Sequence, residues 1–403
     1  MRGSRGPRRG TQLCDLGVIV DGSLLIRDGV IEEVGPTRRL ENLAAARGAI
    51  EINATGRVVM PGFVDSHTHL VFPPAGARAA DNAGAARAVR AATGQRLQWR
   101  AQAHIAAMAR HGTTTLEAKT GCGPDESAET KLLRVLVALK DDPLHIIPTF
   151  LFRLPQPGPD GTADPEAATD RVCRELLPKI RRRRFARFVD VAWDPNPACH
   201  GFYHRLLDAA RRLGFACKIH ADQIGTAAAI STAVQHFAVS VDHLEHATPE
   251  EAAFLAGSGT MATLLPAGAF CNGGGSAPAR ALIEAGVGIA LATNFNPSHT
   301  PTLSMQTVVG LACMNLGLTP EEAISAATIN GAHALGRADR VGSLEFGKSA
   351  NLVILNVSDY RELAHHFGMN LVHMTMCQGK FIYKEGVVSA RAAEDIRLTP
   401  AGD

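Results

Sequence analysis

From Gly62 to about Gly336 the sequence alternates short apolar segments with stretches of helical period, and this alternation constrains the fold more than any other feature. Eight repeats of this kind predict a (β/α)₈ barrel rather than an open doubly wound sheet. No glycine-rich phosphate motif follows any of the apolar segments in a strand–turn–helix context. The predicted barrel strands are 63–67, 113–118, 145–150, 188–192, 216–220, 239–243, 261–265 and 287–293.

Both ends of the chain have the composition of short β-strands. We predict strands at 16–20, 23–26 and 30–34, separated by Asp21-Gly22 and Asp28-Gly29, because Asp-Gly favours tight hairpin turns. Strand composition returns over 342–355, 372–377 and 380–384, with a turn at Gln378-Gly379. Three strands alone seldom form a stable domain. We therefore expect residues 1–60 and 341–403 to form one small β-domain beside a barrel at 61–340.

Histidines recur where the predicted barrel strands end, which is the edge that carries the chemistry in barrel enzymes. His67 and His69 close the first strand, His220 ends the fifth, His243 ends the sixth, and Asn294 follows the eighth. Side chains two residues apart on a strand share a face, so His67 and His69 point into one volume. A single histidine here is more often a core or surface residue. Four at one rim predict a metal site, because neutral imidazole is a common metal ligand.

Composition and charge exclude several classes of function. The chain has 46% apolar and 20% charged residues, and 41 basic against 39 acidic residues give a net charge of +2. This balance demands neither nucleic acid nor a membrane surface, so a small molecule is the expected partner. The eight cysteines are scattered without a Cys-x-x-Cys pair, which indicates a reducing, cytoplasmic location. Residues 1–10 are basic and rich in glycine and are expected to form a flexible tail.

The motifs around the rim residues extend over nearly the whole chain. Together they resemble the amidohydrolase superfamily and, within it, the imidazolonepropionase family. They are Pro61-Gly-Phe-Val-Asp-Ser-His-Thr-His-Leu-Val-Phe72, Gly112-Thr-Thr-Thr-Leu-Glu-Ala-Lys-Thr-Gly121, Lys218-Ile-His-Ala-Asp-Gln223, Ser240-Val-Asp-His-Leu244, Leu264-Leu-Pro-Ala-Gly268, Leu291-Ala-Thr-Asn-Phe-Asn-Pro297 and Gly342-Ser-Leu-Glu-Phe-Gly-Lys348.

The resemblance implies an α/β fold, a deformed TIM-like (β/α)₈ barrel with a small β-sandwich domain built from both chain ends. It also implies a homodimer and one divalent metal ion, with zinc expected first and iron or manganese as alternatives. His67, His69 and His220 would be metal ligands, and Asn294 occupies the position of the fourth ligand. His243 would act in catalysis beside the reacting water.

The same resemblance assigns residues to the substrate. Gln223 falls where the family places a Glu or Gln that touches the substrate ring and takes part in catalysis. Arg78 matches an arginine that grips the substrate carboxylate, which a guanidinium can do through two parallel hydrogen bonds. Asn296, Ser298 and His299 match the loop after the eighth strand, which lines the pocket.

Among the departures from the family pattern, three concern predicted site residues. The family has an aspartate where this chain has Asn294, and a neutral amide can ligate weakly but cannot act as a general base. A substrate-contacting tyrosine is replaced by Cys122. The family's histidine after the third strand is absent, and Arg153 is the residue closest to its position.

These departures leave three functions open. The first is hydrolysis of a C–N bond in a small cyclic amide or amidine that bears a carboxylate, which the retained histidines and Arg78 favour. The second is a non-hydrolytic metalloenzyme, such as an isomerase, cyclase or lyase, which Asn294 favours because Lewis-acid chemistry needs no water-activating carboxylate. The third is a catalytically inactive ligand-binding relative, which the four rim histidines make the weakest of the three.

Overall fold

A computed structural model of the chain describes residues 6–73, 82–123, 125–155, 164–221 and 227–386. Its strands form one eight-stranded sheet, one four-stranded sheet and one two-stranded hairpin. The strands are β1 (Gly22–Arg27), β2 (Val30–Pro36), β3 (Val58–Pro61), β4 (Phe63–Asp65), β5 (Thr113–Lys119), β6 (His145–Phe152), β7 (Phe188–Ala192), β8 (Ala216–His220), β9 (Ser240–Asp242), β10 (Met261–Leu264), β11 (Ile289–Leu291), β12 (Leu352–Leu355), β13 (Val372–Cys377) and β14 (Lys380–Lys384).

The eight-stranded sheet is the barrel. Strands β4 to β11 follow one another in chain order, and all seven neighbouring pairs are parallel. A parallel bridge between Thr68 and Phe295, together with a 2.7 Å hydrogen bond from the His69 amide to the Phe295 carbonyl, joins the first edge to the last. The prediction of a (β/α)₈ barrel is confirmed. Because the edges meet, the residues that follow β4 and β11 face the same pocket.

The barrel strands are buried on both faces, as expected where helices cover a parallel sheet. All seven residues of β5 are buried, and so are all four of β10. The helices that surround the sheet begin at recognisable caps, for example the capping boxes at Thr248 and Thr319. Among the described residues, none of the helices is long and apolar enough to cross a membrane.

The helices between and after the strands complete the barrel. A π-helical turn, Val172–Leu176, joins two of them, and short 3₁₀ turns occur at Gly10–Cys14 and Ala44–Ala46. The α-helices are α1 (Thr37–Leu40), α2 (Asn82–Ala91), α3 (Gly94–Arg110), α4 (Glu126–Ala138), α5 (Pro165–Arg171), α6 (Leu177–Arg183), α7 (Pro197–Arg212), α8 (Ala227–Gln235), α9 (Pro249–Ala256), α10 (Pro266–Asn272), α11 (Ala279–Glu284), α12 (Met305–Leu316), α13 (Pro320–Ala327), α14 (Ile329–Ala334) and α15 (Glu362–His365).

The two ends of the chain form the additional β-structure. The four-stranded sheet has the order β14-β13-β12-β3, so β3 from the N-terminal part pairs with β12 from the C-terminal part. The β1–β2 hairpin turns at Asp28-Gly29, and the β13–β14 hairpin turns at Gln378-Gly379. These turns pack against each other, because a Cβ on Gly29 would lie 2.6 Å from the carbonyl oxygen of Gln378. Both glycines also take positive φ.

Two predictions about the N-terminal part are wrong. The segment 16–20 is not a strand, because Gly17 takes a left-handed φ of 57° and Val20 is left 87% exposed. The described part of the predicted flexible tail, residues 6–10, packs against the barrel. Arg8 is only 3% exposed, and its backbone amide donates to Asn330. The guanidinium of Arg9 donates to three backbone carbonyls near the ends of α9 and α11.

Candidate metal centre and active site

Four histidines meet at the carboxyl end of the barrel sheet, and we call them the histidine cluster: His67, His69, His220 and His243. The ring centroids of His67 and His220 lie 4.9 Å apart, and those of His220 and His243 lie 4.6 Å apart. One ring nitrogen from each of these three lies within 4.8 Å of the others. The predicted ligand His69 is not one of these three residues and stands at the edge of the group, with its ring 5.4 Å from that of His67.

The histidine cluster fits a divalent cation. Among the described residues, Nε2 of His67 and of His243 and Nδ1 of His69 and of His220 are buried without a hydrogen-bond partner. Buried polar atoms are normally paired, so four such nitrogens at one place fit the coordination of a cation. Burial holds the pKa of His67, His69 and His220 well below the ordinary histidine value. These rings are therefore neutral, which is the form that binds a metal ion.

Two carboxylates hold rings of the cluster from behind. Oδ2 of Asp242 lies 2.7 Å from Nδ1 of His67, and Oε1 of Glu245 lies 3.1 Å from Nδ1 of His243. An ionised carboxylate only accepts hydrogen bonds, so the proton of each ring is placed on Nδ1. Nε2 is then left with its lone pair towards the other histidines. A ring in this state can ligate a cation or accept a proton.

A buried set of charged side chains crosses the interior of the barrel, and we call it the charge network: Glu117, Lys119, Asp190, Lys218 and Asp242. Nζ of Lys119 donates to Asp190 at 2.5 Å and to Asp242 at 2.7 Å. Nζ of Lys218 donates to Glu117 at 2.5 Å. All five side chains are fully buried. Because β5 and β9 are not neighbours in the sheet, the Lys119–Asp242 pair fixes strands across the barrel.

The charge network sets the protonation of its members. Burial acts to lower the pKa of Lys119, but Asp190 and Asp242 outweigh it and hold that pKa above the ordinary value. Burial acts to raise the pKa of Asp242, but Lys119 and Lys218 hold it well below the ordinary value. Burial raises the pKa of Asp190 to about 6. Asp242 is therefore ionised and able to accept the proton of His67 Nδ1 in a hydrogen bond.

Asn294, the predicted fourth ligand, lies beyond the end of β11. It is 8% exposed and has a φ of 54°, in the left-handed region that asparagine tolerates. Its Nδ2 lies 2.5 Å from the place where a Cβ on Gly268 would stand. A glycine at position 268, in the first turn of α10, is therefore required for the Asn294 amide to lie here. Asn294 adds no negative charge to the site.

The predicted substrate contacts Cys122 and Arg153 lie on the neighbouring loops after β5 and β6. Cys122 is 1% exposed, and burial raises the pKa of its thiol above the ordinary value, so it is neutral. Glu129 of α4 holds this loop, since its Oε1 accepts the backbone amides of Gly121 and Cys122. Burial raises the pKa of Glu129 to about 7. The charge of Arg153 adds to burial in lowering the pKa of His69.

The loop after β11 carries three further predicted pocket residues. Oδ1 of Asn296 accepts the amide of Ser298 at 2.9 Å, which closes the loop on itself. The Ser298 hydroxyl donates to the carbonyl of Pro73 at 2.9 Å and ties the loop to the segment after β4. His299 is exposed. The substrate roles of these three residues stay predictions.

Sequence reasoning missed the acidic partners of the cluster, and two of its own candidates cannot be placed. Arg78 and Gln223 lie outside the described residues. No sequence pattern marked Glu245 as a partner of the cluster, apart from its position two residues after His243. The charge network had a signal, because charged residues at alternate positions inside otherwise apolar barrel strands must point inward. Those residues are Glu117 and Lys119 in β5, Asp190 in β7, Lys218 in β8 and Asp242 in β9.

Comparison with known proteins adds the following. The amidohydrolase family model matches residues 58–382. An imidazolonepropionase from Symbiobacterium thermophilum is 39% identical over 96% of this chain and 96% of its own length. An imidazolonepropionase from Geobacillus kaustophilus is 38% identical over 96% of this chain and 95% of its own length.

A solved structure of lower identity has the same fold. It is an adenosine deaminase from Xanthomonas campestris with bound zinc, which superposes with a TM-score of 0.70 at 20% identity. The match covers 94% of this chain and 93% of that one. At this identity the likeness concerns the fold alone.

Proposed function

This chain belongs to the amidohydrolase family and is a hydrolase of C–N bonds other than peptide bonds, and on that premise we propose its substrate and mechanism. The proposed reaction is the metal-dependent opening of a small cyclic amide or amidine, imidazolone-like and bearing a carboxylate. The names of the similar curated proteins support an imidazolone ring as the substrate class. A zinc ion is the proposed metal, with iron or manganese as alternatives.

The observation that carries this proposal is the pairing of His243 with Glu245. The Nδ1 of His243 is held by Glu245 at 3.1 Å, and its Nε2 is buried among the other histidines without a partner in the described part of the chain. A histidine oriented in this way by a carboxylate has the arrangement of a general base. His243 can therefore take the proton of the attacking water, a role that the neutral side chain of Asn294 cannot fill.

The cation would be held by His67, His69 and His220, with the amide oxygen of Asn294 as a weak further donor. A divalent ion at this place would supply Lewis-acid polarisation of the substrate and lower the pKa of a water that it binds. The proton transfers are carried out by side chains of the protein. His243 accepts the proton at Nε2, passes it to the leaving ring nitrogen, and returns to its neutral state on Glu245.

The residues proposed to contact the substrate favour an anionic molecule. Arg153 is the proposed first contact for the substrate carboxylate, and its positive charge also acts on His69. Arg78 is the proposed second contact. Cys122 presents a neutral, buried thiol where the family has the larger side chain and the hydroxyl of a tyrosine. Gln223 is proposed to hydrogen-bond the substrate ring. A planar heterocycle with one carboxylate arm satisfies these groups.

The test is an assay of the metal-loaded protein against carboxylate-bearing imidazolone, hydantoin and dihydropyrimidine rings, with product masses read directly. We expect the imidazolone to gain one water, and we expect chelator treatment to abolish the reaction. Stoichiometric metal without a gain of water on any of these rings would overturn the proposal. Consumption of a ring at unchanged mass would instead assign an isomerase, the function that Asn294 favours.

We also propose that the chain forms a homodimer in the cytoplasm. The resemblance to the imidazolonepropionase family supports the dimer, and the eight free cysteines support a reducing compartment. Light scattering after size exclusion tests the assembly, with twice the 42.6 kDa mass of one chain as the expected result. A mass of one chain would contradict it.

A further inference from the structure

We propose that Asp242 is a positioning residue for the metal centre. It fixes His67 in the tautomer whose Nε2 faces the histidine cluster, and it supplies through that ring the negative charge that Asn294 does not provide. The inference rests on the proposed metal-dependent function. It concerns a residue that touches neither the substrate nor the cation, and it gives the charge network a role in the site.

The contacts of Asp242 leave its carboxylate one orientation. Its Oδ2 lies 2.7 Å from Nδ1 of His67 and 2.7 Å from Nζ of Lys119. Its Oδ1 accepts the hydroxyl of Ser240 at 2.6 Å. The side chains of Asp242 and His67 are both fully buried, so water does not compete for these bonds. The carboxylate is therefore held by partners on both oxygens and cannot turn away from the ring.

The pairing has the geometry that supports a metal ligand. A histidine that ligates a metal usually donates its other ring N–H to a carboxylate or carbonyl, which sets the tautomer and makes the ligating nitrogen more basic. Here Nδ1 of His67 meets Asp242, and Nε2 of the same ring is one of the buried atoms without a partner among the described residues. The proton thus belongs on the Asp242 side.

The contact between Asp242 and His67 matters in this chain because the proposed metal ligands carry no negative charge of their own. The side chains proposed to hold the cation are His67, His69, His220 and Asn294, and all of them are neutral. The charge network contains three carboxylates and two lysines, so with all five ionised it carries one surplus negative charge. Asp242 is its member that bonds a proposed ligand directly. The charge that acts on the cation through His67 is therefore that of Asp242 itself, and not the net charge of the network.

The chain offers a matched control in Asp190. Asp190 is equally buried and bonds the same lysine, with its Oδ2 2.5 Å from Nζ of Lys119. Among the described residues, its hydrogen bond goes to that lysine and not to a histidine. Asp190→Asn therefore removes the same charge from the same network and leaves the bond between His67 and Asp242 in place.

The first measurement is the affinity of the metal-free protein for Zn²⁺, by competition with a chromophoric chelator. We expect Asp242→Asn to weaken binding by about 10- to 100-fold, the range seen when a carboxylate behind a ligand is removed. We expect Asp190→Asn to stay close to the unchanged protein. Equal weakening in both variants would overturn the proposal, because the effect would then be that of network charge and not of the contact with His67.

The second measurement reads the tautomer without any metal. In ¹⁵N-histidine NMR spectra of the metal-free protein, with His67→Gln to assign the signal, we expect His67 to carry its proton on Nδ1. The same tautomer is expected in Asp190→Asn, and a mixture is expected in Asp242→Asn. A proton on Nε2 in the unchanged protein would overturn the inference, even if Asp242→Asn does not fold. If the protein binds no Zn²⁺, the proposed function fails while the tautomer still decides this inference.

Discussion

The pocket has two sides that differ in how their residues are supported. On the histidine side, at the ends of β4, β8 and β9, rings are backed by buried carboxylates, as His67 is by Asp242 and His243 is by Glu245. On the pocket side, the loops after β5, β6 and β11 present a neutral thiol, a guanidinium and a neutral amide. Carboxylates therefore bond rings of the histidine side directly, whereas Glu129 behind the pocket side bonds the backbone amides of Gly121 and Cys122.

This difference separates two tasks that one carboxylate can perform together. An aspartate after β11 would add charge to a bound cation and accept a proton from water. In this chain the neutral Asn294 can do neither, and in the proposed mechanism the two tasks fall to Asp242 and to the His243–Glu245 pair. The side chains of Cys122, Arg153 and Asn294 carry no negative charge, so they do not repel an anionic substrate. Each of the following changes alters one side and leaves the other in place.

The largest effect is expected from the histidine side. His67→Ala removes a proposed ligand and leaves Asp242 buried without its partner, so the metal should be lost. We expect activity to fall by more than about 10⁴-fold, beyond the loss of a general base alone. Elemental analysis and turnover of the same preparation measure both effects. A variant that retains one metal per chain at normal activity would remove His67 from the centre.

Glu245→Gln tests the support of the proposed base. The amide can still contact Nδ1 of His243, but it no longer stabilises the protonated ring, so kcat should fall about 10- to 100-fold. Metal content should not change, because His243 is not among the proposed ligands. Steady-state kinetics across pH, with metal content determined in parallel, check this prediction. Loss of metal with unchanged kcat per metal would place Glu245 in metal binding instead.

Gly268→Ala tests the pocket side. The new Cβ would stand 2.5 Å from Nδ2 of Asn294, so the amide must move, and we expect a loss of about 1–3 kcal/mol in the free energy of unfolding. Chemical denaturation of the metal-free protein measures it. The double variant with Asn294→Ala should recover part of the loss. Equal stability losses with and without Asn294 would show that the methyl group meets something else.

The smallest effect concerns pH and the loop held by Glu129. Burial raises the pKa of Glu129 from an ordinary value near 4.5 to about 7, so the folded state binds more protons between these values. The contribution is fully present below pH 4.5 and is lost as pH rises through 7. Glu129→Gln should therefore flatten the fall in unfolding free energy over this window. Glu126→Gln on the same helix is the control, and an identical pH dependence in both would contradict the assignment.

Much of the fold followed from sequence because its signals are local. The bounds of β7 and β8 match the predicted 188–192 and 216–220. Strand β11 is shorter than the predicted 287–293, because Thr293 bonds the carboxylate of Asp65 instead of continuing the ladder. That contact joins residues 228 positions apart and leaves no mark in the local pattern.

The residues of the site also divide into those that the local sequence reveals and those that it does not. The histidines were visible because they follow strands in a regular arrangement, and parallel strands bring their ends to one edge. The carboxylates that bond these histidines were not visible in the sequence. Asp242 meets His67 only because the barrel brings together residues that lie 175 positions apart. The 2.5 Å approach between Gly268 and Asn294 was equally hidden, because a glycine has many local uses and shows its need only in three dimensions.

The most direct test of the account is a double-mutant cycle between His243 and Asn294, with ring opening of a carboxylate-bearing imidazolone as the readout. In the unchanged background, His243→Asn should lower kcat by about 10²–10⁴-fold, because it removes the base. In the Asn294→Asp background, the same change should cost far less, because the new carboxylate can accept the proton. An equal cost in both backgrounds, or no cost in the first, would contradict the claim that His243 replaces the missing carboxylate.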